Sequence, residues 1–269
     1  MKLFACMCNQ PQRLKMALAP VRSALLAQPP IQRWGLGYIQ GGDVLLVRTP
    51  KSSTTAVDLA GPLSEIATDC AIAQSVGDDG FGGTDNTPPF RFRRWLYAQQ
   101  FHTSGANNLE ALAPRLLEHI PEYLRRNIKG RTPTELVFHL FLSMLHDEGN
   151  IDDPNLPTAA TRRALAATLR LVSAELEKID PANTSALGNV ALTNGRSMVV
   201  ARREEPLRLR RLWVNNDRGE AERGADSFRG VLLLSGGDGD PREGFEDVPA
   251  NHAVLISRDL QVTLADLAP

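Results

Sequence analysis

The chain has 269 residues, of which 42% are hydrophobic and 23% are charged, and its 30 basic and 31 acidic side chains leave a net charge of −1. This composition is typical of a folded globular protein and excludes a disordered or collagen-like chain. The balanced charge gives no support for nucleic acid or an anionic membrane surface as a partner.

The cysteine count and the first residues indicate where the protein works. Only three cysteines occur, Cys6, Cys8 and Cys70, which are too few for a disulfide-stapled fold and favour a reducing compartment. The first residues lack the apolar core of a secretion signal, and no stretch reaches the roughly 18 apolar residues of a membrane span. We therefore expect a cytoplasmic protein without a membrane partner.

The first part of the chain predicts strands around one amphipathic helix. Apolar residues recur at helical spacing between residues 14 and 25, ahead of Pro29 and Pro30. Strands are predicted at residues 2–7, 34–39, 44–47, 70–76 and 94–98. A glycine turn joins the second and third of these strands into a hairpin. The glycine-rich segment 77–83 predicts a plain loop, because it lacks the Lys-Ser/Thr ending of a phosphate-binding loop.

The middle of the chain predicts helices, and the last third predicts strands again. Helices are predicted at residues 109–127, 132–146 and 158–179. Strands are predicted at residues 187–192, 197–202, 207–214, 231–234 and 252–257. This order indicates an α+β fold with antiparallel sheets rather than alternating βαβ units, and no break in composition divides residues 1–269 into separate domains.

The residues that commonly bind metals lack the spacing of a metal site. His139 and His146 are seven residues apart with no glutamate in the HExxH position. Cys6 and Cys8 share one face of a strand, but two further ligands are not evident. We predict neither a metal nor a cofactor.

Six segments of the chain carry a family resemblance. In chain order they are LFACMCNQP, WGLGYIQGGDVLLVRTP, DNTPPFRFRRWLYAQQ, GRTPTELVFHLFL, NVALTNGRSMVVARR and GFEDVPANHAVLISRDLQV. Together they resemble the class II glutamine amidotransferases of the stand-alone bacterial type, which belong to the N-terminal-nucleophile hydrolase superfamily. The resemblance covers nearly the whole chain and implies a four-layer αββα sandwich of two antiparallel sheets.

The resemblance also implies a mechanism with defined chemical requirements. Such enzymes use the thiol of an N-terminal cysteine as nucleophile, with its own α-amino group as general base. A backbone amide and an asparagine side chain form the oxyanion hole. An arginine and an aspartate hold the carboxylate and the amine of the substrate glutamine.

This chain departs from the family pattern at each of those positions. Met1 stands where the nucleophilic cysteine is expected. Val76 replaces the arginine that binds the carboxylate, and Pro133 replaces the aspartate that binds the amine. Gln100 replaces the oxyanion-hole asparagine, and Phe101 replaces the glycine after it. We therefore predict a catalytically inactive member of the family that acts as a binding, regulatory or scaffold protein, with a protein partner or a small ligand.

Two alternatives remain open. Processing after Ala5 would expose Cys6 as the terminal nucleophile of an active glutaminase or amidohydrolase. Alternatively, a small ligand binds in the vacated pocket, unless Phe101 itself fills that space, and His102 is a further candidate for the pocket wall. The residues predicted to form this vestigial pocket are Met1, Gln74, Val76, Gln99, Gln100, Phe101 and Pro133.

Overall fold

The computed structural model describes residues 1–101, 106–181, 187–214, 227–236 and 244–267. Two large antiparallel sheets form its centre. The larger sheet contains, in spatial order, β13 (Glu246–Asp247), β11 (Leu207–Leu212), β12 (Gly230–Ser235), β1 (Lys2–Cys8), β6 (Cys70–Val76), β3 (Arg33–Gln40) and β4 (Asp43–Thr49). The smaller sheet contains β15 (Val262–Asp266), β14 (His252–Ile256), β10 (Met198–Ala201), β9 (Leu187–Thr193), β8 (Trp95–Phe101) and β7 (Phe90–Phe92). A separate short pair joins β2 (Leu26–Ala27) to β5 (Val57–Asp58).

The helices lie mainly in the middle of the chain, as the sequence predicts. They are α1 (Leu14–Leu18), α2 (Ala106–Glu118), α3 (Glu122–Arg125), α4 (Pro133–Glu148) and α5 (Thr158–Ile179). Within the described ranges, no helix is both long enough and apolar enough to cross a membrane.

Prolines divide two of the predicted helices. The stretch predicted at residues 14–25 begins as α1 and continues as a 3₁₀ helix over Ala19–Leu25. Pro20 has no amide hydrogen to continue the α-helical bonding, which accounts for this change. The helix predicted at 109–127 is likewise divided into α2 and α3, with Pro121 at the N-cap of α3. The prediction for α5 is confirmed at both ends.

Three apolar cores separate four layers, which confirms the predicted αββα sandwich. Trp95, Phe141 and Leu169 belong to the core between the longer helices and the smaller sheet. The core between the two sheets and the core under α1 are divided by β1, whose side chains alternate between them. Leu3, Ala5 and Met7 enter the core between the sheets. Phe4, Cys6 and Cys8 enter the core that α1 covers.

Candidate functional site at the start of β1

A small pocket lies where the ends of both sheets meet the first turn of α4. Five of the seven residues predicted for the vestigial site line it, namely Met1, Gln74, Val76, Gln99 and Phe101. Gln100 and Pro133 are not among its lining residues, and His102 lies outside the described residues. The free volume is about 20 Å³. A single water needs about 10–15 Å³, so the pocket in this conformation has no space for a glutamine side chain.

The start of β1 is fixed on both sides. The amide of Lys2 donates to Ser75 Oγ at 3.0 Å, and Lys2 Nζ donates to the Ala24 carbonyl at 2.7 Å on the side of the outer helix. Gly236 has a φ of +80°, and a Cβ there would lie 2.0 Å from the Met1 carbonyl oxygen. Only glycine fits this position, because a side chain would strain the backbone and collide with Met1. These contacts hold Met1 at the pocket.

Two of the pocket residues, Gln74 and Gln99, are joined by a hydrogen bond from the side chain of the first to the backbone of the second. Gln74 Nε2 donates to the Gln99 carbonyl at 2.8 Å, and Gln99 Oε1 accepts from the Tyr97 hydroxyl at 2.8 Å. Both side chains are buried, with exposures of 2% and 1%. Gln74 Oε1 and Gln99 Nε2 have no hydrogen-bond partner within the described part of the chain. One unused acceptor and one unused donor therefore remain at the pocket.

Gln100 connects the two sheets instead of lining the pocket. Its Oε1 accepts from Ser235 Oγ of β12 at 2.8 Å, and Ser235 Oγ accepts from Asn189 Nδ2 of β9 at 2.7 Å. Asn189 in turn accepts from the Arg203 amide at 2.6 Å. A glutamine at this position thus takes part in a buried network between the sheets.

Val76 and Phe101 close the pocket with apolar groups. Val76 is buried at the end of β6, and Phe101 packs against the core on the helical side of the smaller sheet. Neither side chain can form the charge-assisted hydrogen bonds that bind a carboxylate, nor can it donate to an oxyanion.

Pro133 serves the helix rather than a ligand. It is the first residue of α4, where a proline is favoured because its missing amide hydrogen is not needed. The preceding Thr132 caps the helix and accepts from the Glu135 amide at 3.3 Å. The position of the expected amine-binding aspartate is therefore part of a helix start.

The pocket also contains a charged pair, Arg33 and Asp79. Arg33 Nη1 donates to Asp79 Oδ1 at 2.6 Å, and Nη2 donates to Asp79 Oδ2 at 2.5 Å. Nothing in the sequence links these residues, since they are 46 positions apart and Asp79 belongs to a segment predicted only as a glycine-rich loop. The pocket therefore contains a guanidinium, although Val76 has replaced the expected arginine.

The three thiols lie away from the pocket. All three are buried, and Cys6 enters the core under α1. Burial raises the pKa of Cys6 well above its usual value, and raises the pKa of Cys8 and of Cys70 to about 12. Since the thiolate is the reactive form of cysteine, these thiols are poor nucleophiles in this fold.

Comparisons with known proteins agree on one fold. Over its full length the chain matches the whole of a glutamine aminotransferase class-II domain protein from Silicibacter pomeroyi, with a TM-score of 0.64 and 16% identity. A predicted glutamine amidotransferase from Pseudomonas aeruginosa PA01 matches with a TM-score of 0.56 and 14% identity, over 97% of this chain and 98% of that one. The chain has the class II glutamine amidotransferase fold.

Sequence comparison supports this amidotransferase resemblance over part of the chain. Across 123 residues, 44% of this chain, it is 28% identical to a probable glutamine amidotransferase from Saccharomyces cerevisiae. The match covers 34% of that yeast protein. No protein-family model matches the chain. The resemblance to the class II glutamine amidotransferases inferred from the sequence is thus confirmed.

Proposed function

We propose that this chain keeps the amidotransferase fold without hydrolysing glutamine, and that it acts as a binding, regulatory or scaffold protein. The observation that carries the proposal is the position of Met1. It lines the pocket at the start of β1, where the resemblance calls for a cysteine thiol. A thioether has no proton to lose and cannot replace a thiolate as the attacking group.

The other chemical positions support the same conclusion. Val76, Phe101 and Pro133 offer no charge and no side-chain hydrogen-bond donor. The loss of one oxyanion-hole donor costs about 2.7–4 kcal/mol of transition-state stabilisation in a well-studied protease. Because nucleophile, oxyanion donor and both substrate-binding charges are replaced together, we expect no measurable turnover.

The alternative nucleophile, Cys6, is poorly placed. It has 0% exposure and enters the core under α1 instead of the pocket. It pairs with Leu232 on one side and Ala71 on the other. Processing after Ala5 would remove four of the six residue pairs between β1 and β6 and three of the six between β1 and β12, at the centre of the larger sheet.

The first test measures ammonia release from L-glutamine, with an active class II amidotransferase as positive control. We expect the rate to equal that of buffer alone. Ammonia release that disappears in a Cys6→Ala variant would overturn the proposal in favour of the processed enzyme. Intact mass spectrometry adds an independent check, because a chain that begins at Met1 or Lys2 has no terminal amine at Cys6.

A small-molecule binding role is favoured over a purely structural one by the two glutamines. Gln74 Oε1 and Gln99 Nε2 are buried and have no partner among the described residues. A buried amide atom without a partner costs about 1–3 kcal/mol, so the site gains free energy when a polar group satisfies it. The free volume of only about 20 Å³ means that a ligand must first displace part of the pocket wall.

A further inference from the structure

Arg33 is a buried cation whose position is fixed by the body of the protein. It is the first residue of β3 and is 2% exposed. Its Nε donates to the Asn86 carbonyl at 2.9 Å, outside the loop 77–83, and Nη1 also donates to the Phe81 carbonyl at 2.7 Å, within that loop. A guanidinium held in this way presents its remaining donors as a fixed fork, which matches the two oxygens of a carboxylate.

The carboxylate that fills this fork comes from a loosely packed loop. Asp79 lies in the segment 77–83, and its side chain keeps 20% exposure against 3% for Arg33. A Cβ added at Gly77, Gly80 or Gly82 would meet no other atom within 4 Å, so much of this loop lies open on one side. The arginine is thus held from outside the loop by the Asn86 carbonyl. Asp79 belongs to an outer segment that is open on one side and is fastened at its end by the Phe81, Gly82 and Gly83 carbonyls, which accept from Arg33, Asn86 and Thr87.

The unused polar atoms lie in the same pocket as this ion pair. Gln74 and Gln99 line the pocket with Arg33 and Asp79, and Gln74 Oε1 and Gln99 Nε2 have no hydrogen-bond partner among the described residues. The two amide atoms provide one acceptor and one donor for a molecule whose carboxylate is bound by the Arg33 guanidinium. A buried arginine and two unsatisfied amides form a recognition site for a small carboxylate that carries a second polar group.

We propose that Arg33 is the binding site for a small carboxylate ligand, and that Asp79 occupies this site as an internal ligand in the present conformation. The proposal rests on the binding role proposed above and names the chemical class of the ligand. An external carboxylate replaces Asp79 on the guanidinium, and the loop 77–83 moves outward to make room. No covalent bond changes in this exchange.

Competition with Asp79 determines which ligands succeed. A group tethered by a short loop acts at an effective concentration in the millimolar range. Acetate binds through its carboxylate alone, so its concentration must exceed the effective concentration of Asp79. A ligand that also forms hydrogen bonds to Gln74 and Gln99 displaces Asp79 at a lower concentration. The ion pair therefore makes the site selective for carboxylates with a second polar group.

The test removes the internal carboxylate and supplies an external one. Acetate and acetamide have nearly the same shape and differ in charge, and they are compared at constant ionic strength in the wild type and in Asp79→Ala. We expect acetate to raise the unfolding temperature of Asp79→Ala and to bind it roughly tenfold more tightly than the wild type. Acetamide should have no effect on either protein.

Two variants serve as controls. Asp78→Ala removes a carboxylate from the same loop, which accepts from the Gly80 amide at 3.2 Å and does not bond Arg33. It should respond to acetate like the wild type. The double variant Arg33→Met with Asp79→Ala removes both charges and should lose the acetate response. If Asp79→Ala does not fold, Asp79→Asn replaces it, since its side-chain oxygen still accepts from the Phe81 amide.

Hydrogen exchange in the wild type separates a ligand site from a structural ion pair. Acetate above the effective concentration should accelerate amide exchange across residues 77–83, and acetamide should not. Absence of an acetate preference in the Asp79 variants would overturn the proposal, as would unchanged loop exchange in the wild type. The ammonia assay measures only catalysis and the acetate experiments measure only binding at Arg33. Failure of the proposed function can therefore be distinguished from failure of this site.

Discussion

The Cys6 thiol lies in the core under α1, and this position determines its reactivity. We predict that iodoacetamide at about pH 8 leaves Cys6, Cys8 and Cys70 unmodified in the folded protein. Burial raises the pKa of each thiol, so its thiolate fraction is far smaller than in the unfolded chain. Mass spectrometry after labelling, with a denatured sample as control, checks this. Modification of Cys6 in the folded protein would contradict the structure and strengthen the case for a Cys6 nucleophile.

Individual residues differ in how far the sequence predicts their place. Met1, Gln74 and Val76 are predicted for the pocket because short segments around them resemble a family pattern, and they do line it. Arg33 and Asp79 carry no such signal, because their pairing depends on how β3 packs against the loop after β6. An ion pair between residues 46 positions apart in the sequence is visible only in three dimensions.

The start of α4 is a capped helix end whose contribution can be measured. We predict that Thr132→Ala lowers the free energy of unfolding by about 1 kcal/mol, because the Glu135 amide loses its side-chain acceptor. Thr134→Ala is the matched control, since Thr134 lies in the same turn and makes no such capping bond. Chemical denaturation of both variants gives the comparison. Equal effects would show that the cap contributes nothing.

The same helix start also holds the neighbouring loop. Glu135 accepts from the Lys129 amide at 3.0 Å and from the Gly130 amide at 2.6 Å. Burial raises the pKa of Glu135, and these two bonds oppose the shift. Thr132 therefore caps the helix through the Glu135 amide, while the Glu135 side chain reaches back to the two amides before the cap and fixes the loop that leads into α4.

Whole elements were predictable where apolar periodicity was strong. The long helix α5 has the predicted bounds because its apolar positions follow one helical period, and β6 has them as a run of seven buried residues without alternation. In contrast, β15 was not predicted, since its residues are mostly exposed and it lies at the edge of the smaller sheet. This strand forms because it pairs with β14, and its own sequence pattern does not predict it.

At the scale of the molecule, the two sheets are joined by an apolar core and by a small polar network at its edge. Gln100 of β8 and Ser235 of β12 form one hydrogen bond that crosses between the sheets, and Asn189 of β9 forms another one to Ser235. All three side chains are nearly inaccessible, with exposures of 0%, 1% and 0%. Removal of Ser235 Oγ would leave two buried polar groups without this partner.

We therefore predict that Ser235→Ala and Gln100→Ala are coupled. The difference between the double variant and the sum of the single variants should be about 0.5–3 kcal/mol in the free energy of unfolding, because both changes break the same bond. Arg163→Ala, which removes a surface ion pair with Glu148, shares no partner with Ser235 and should combine with Ser235→Ala additively. Additive behaviour of Ser235 and Gln100 would mean that the hydrogen bond between them contributes nothing to the contact between the sheets. In that case Gln100 would no longer be accounted for as a structural link, and its unpartnered Nε2 would become a reason to test it as a ligand donor.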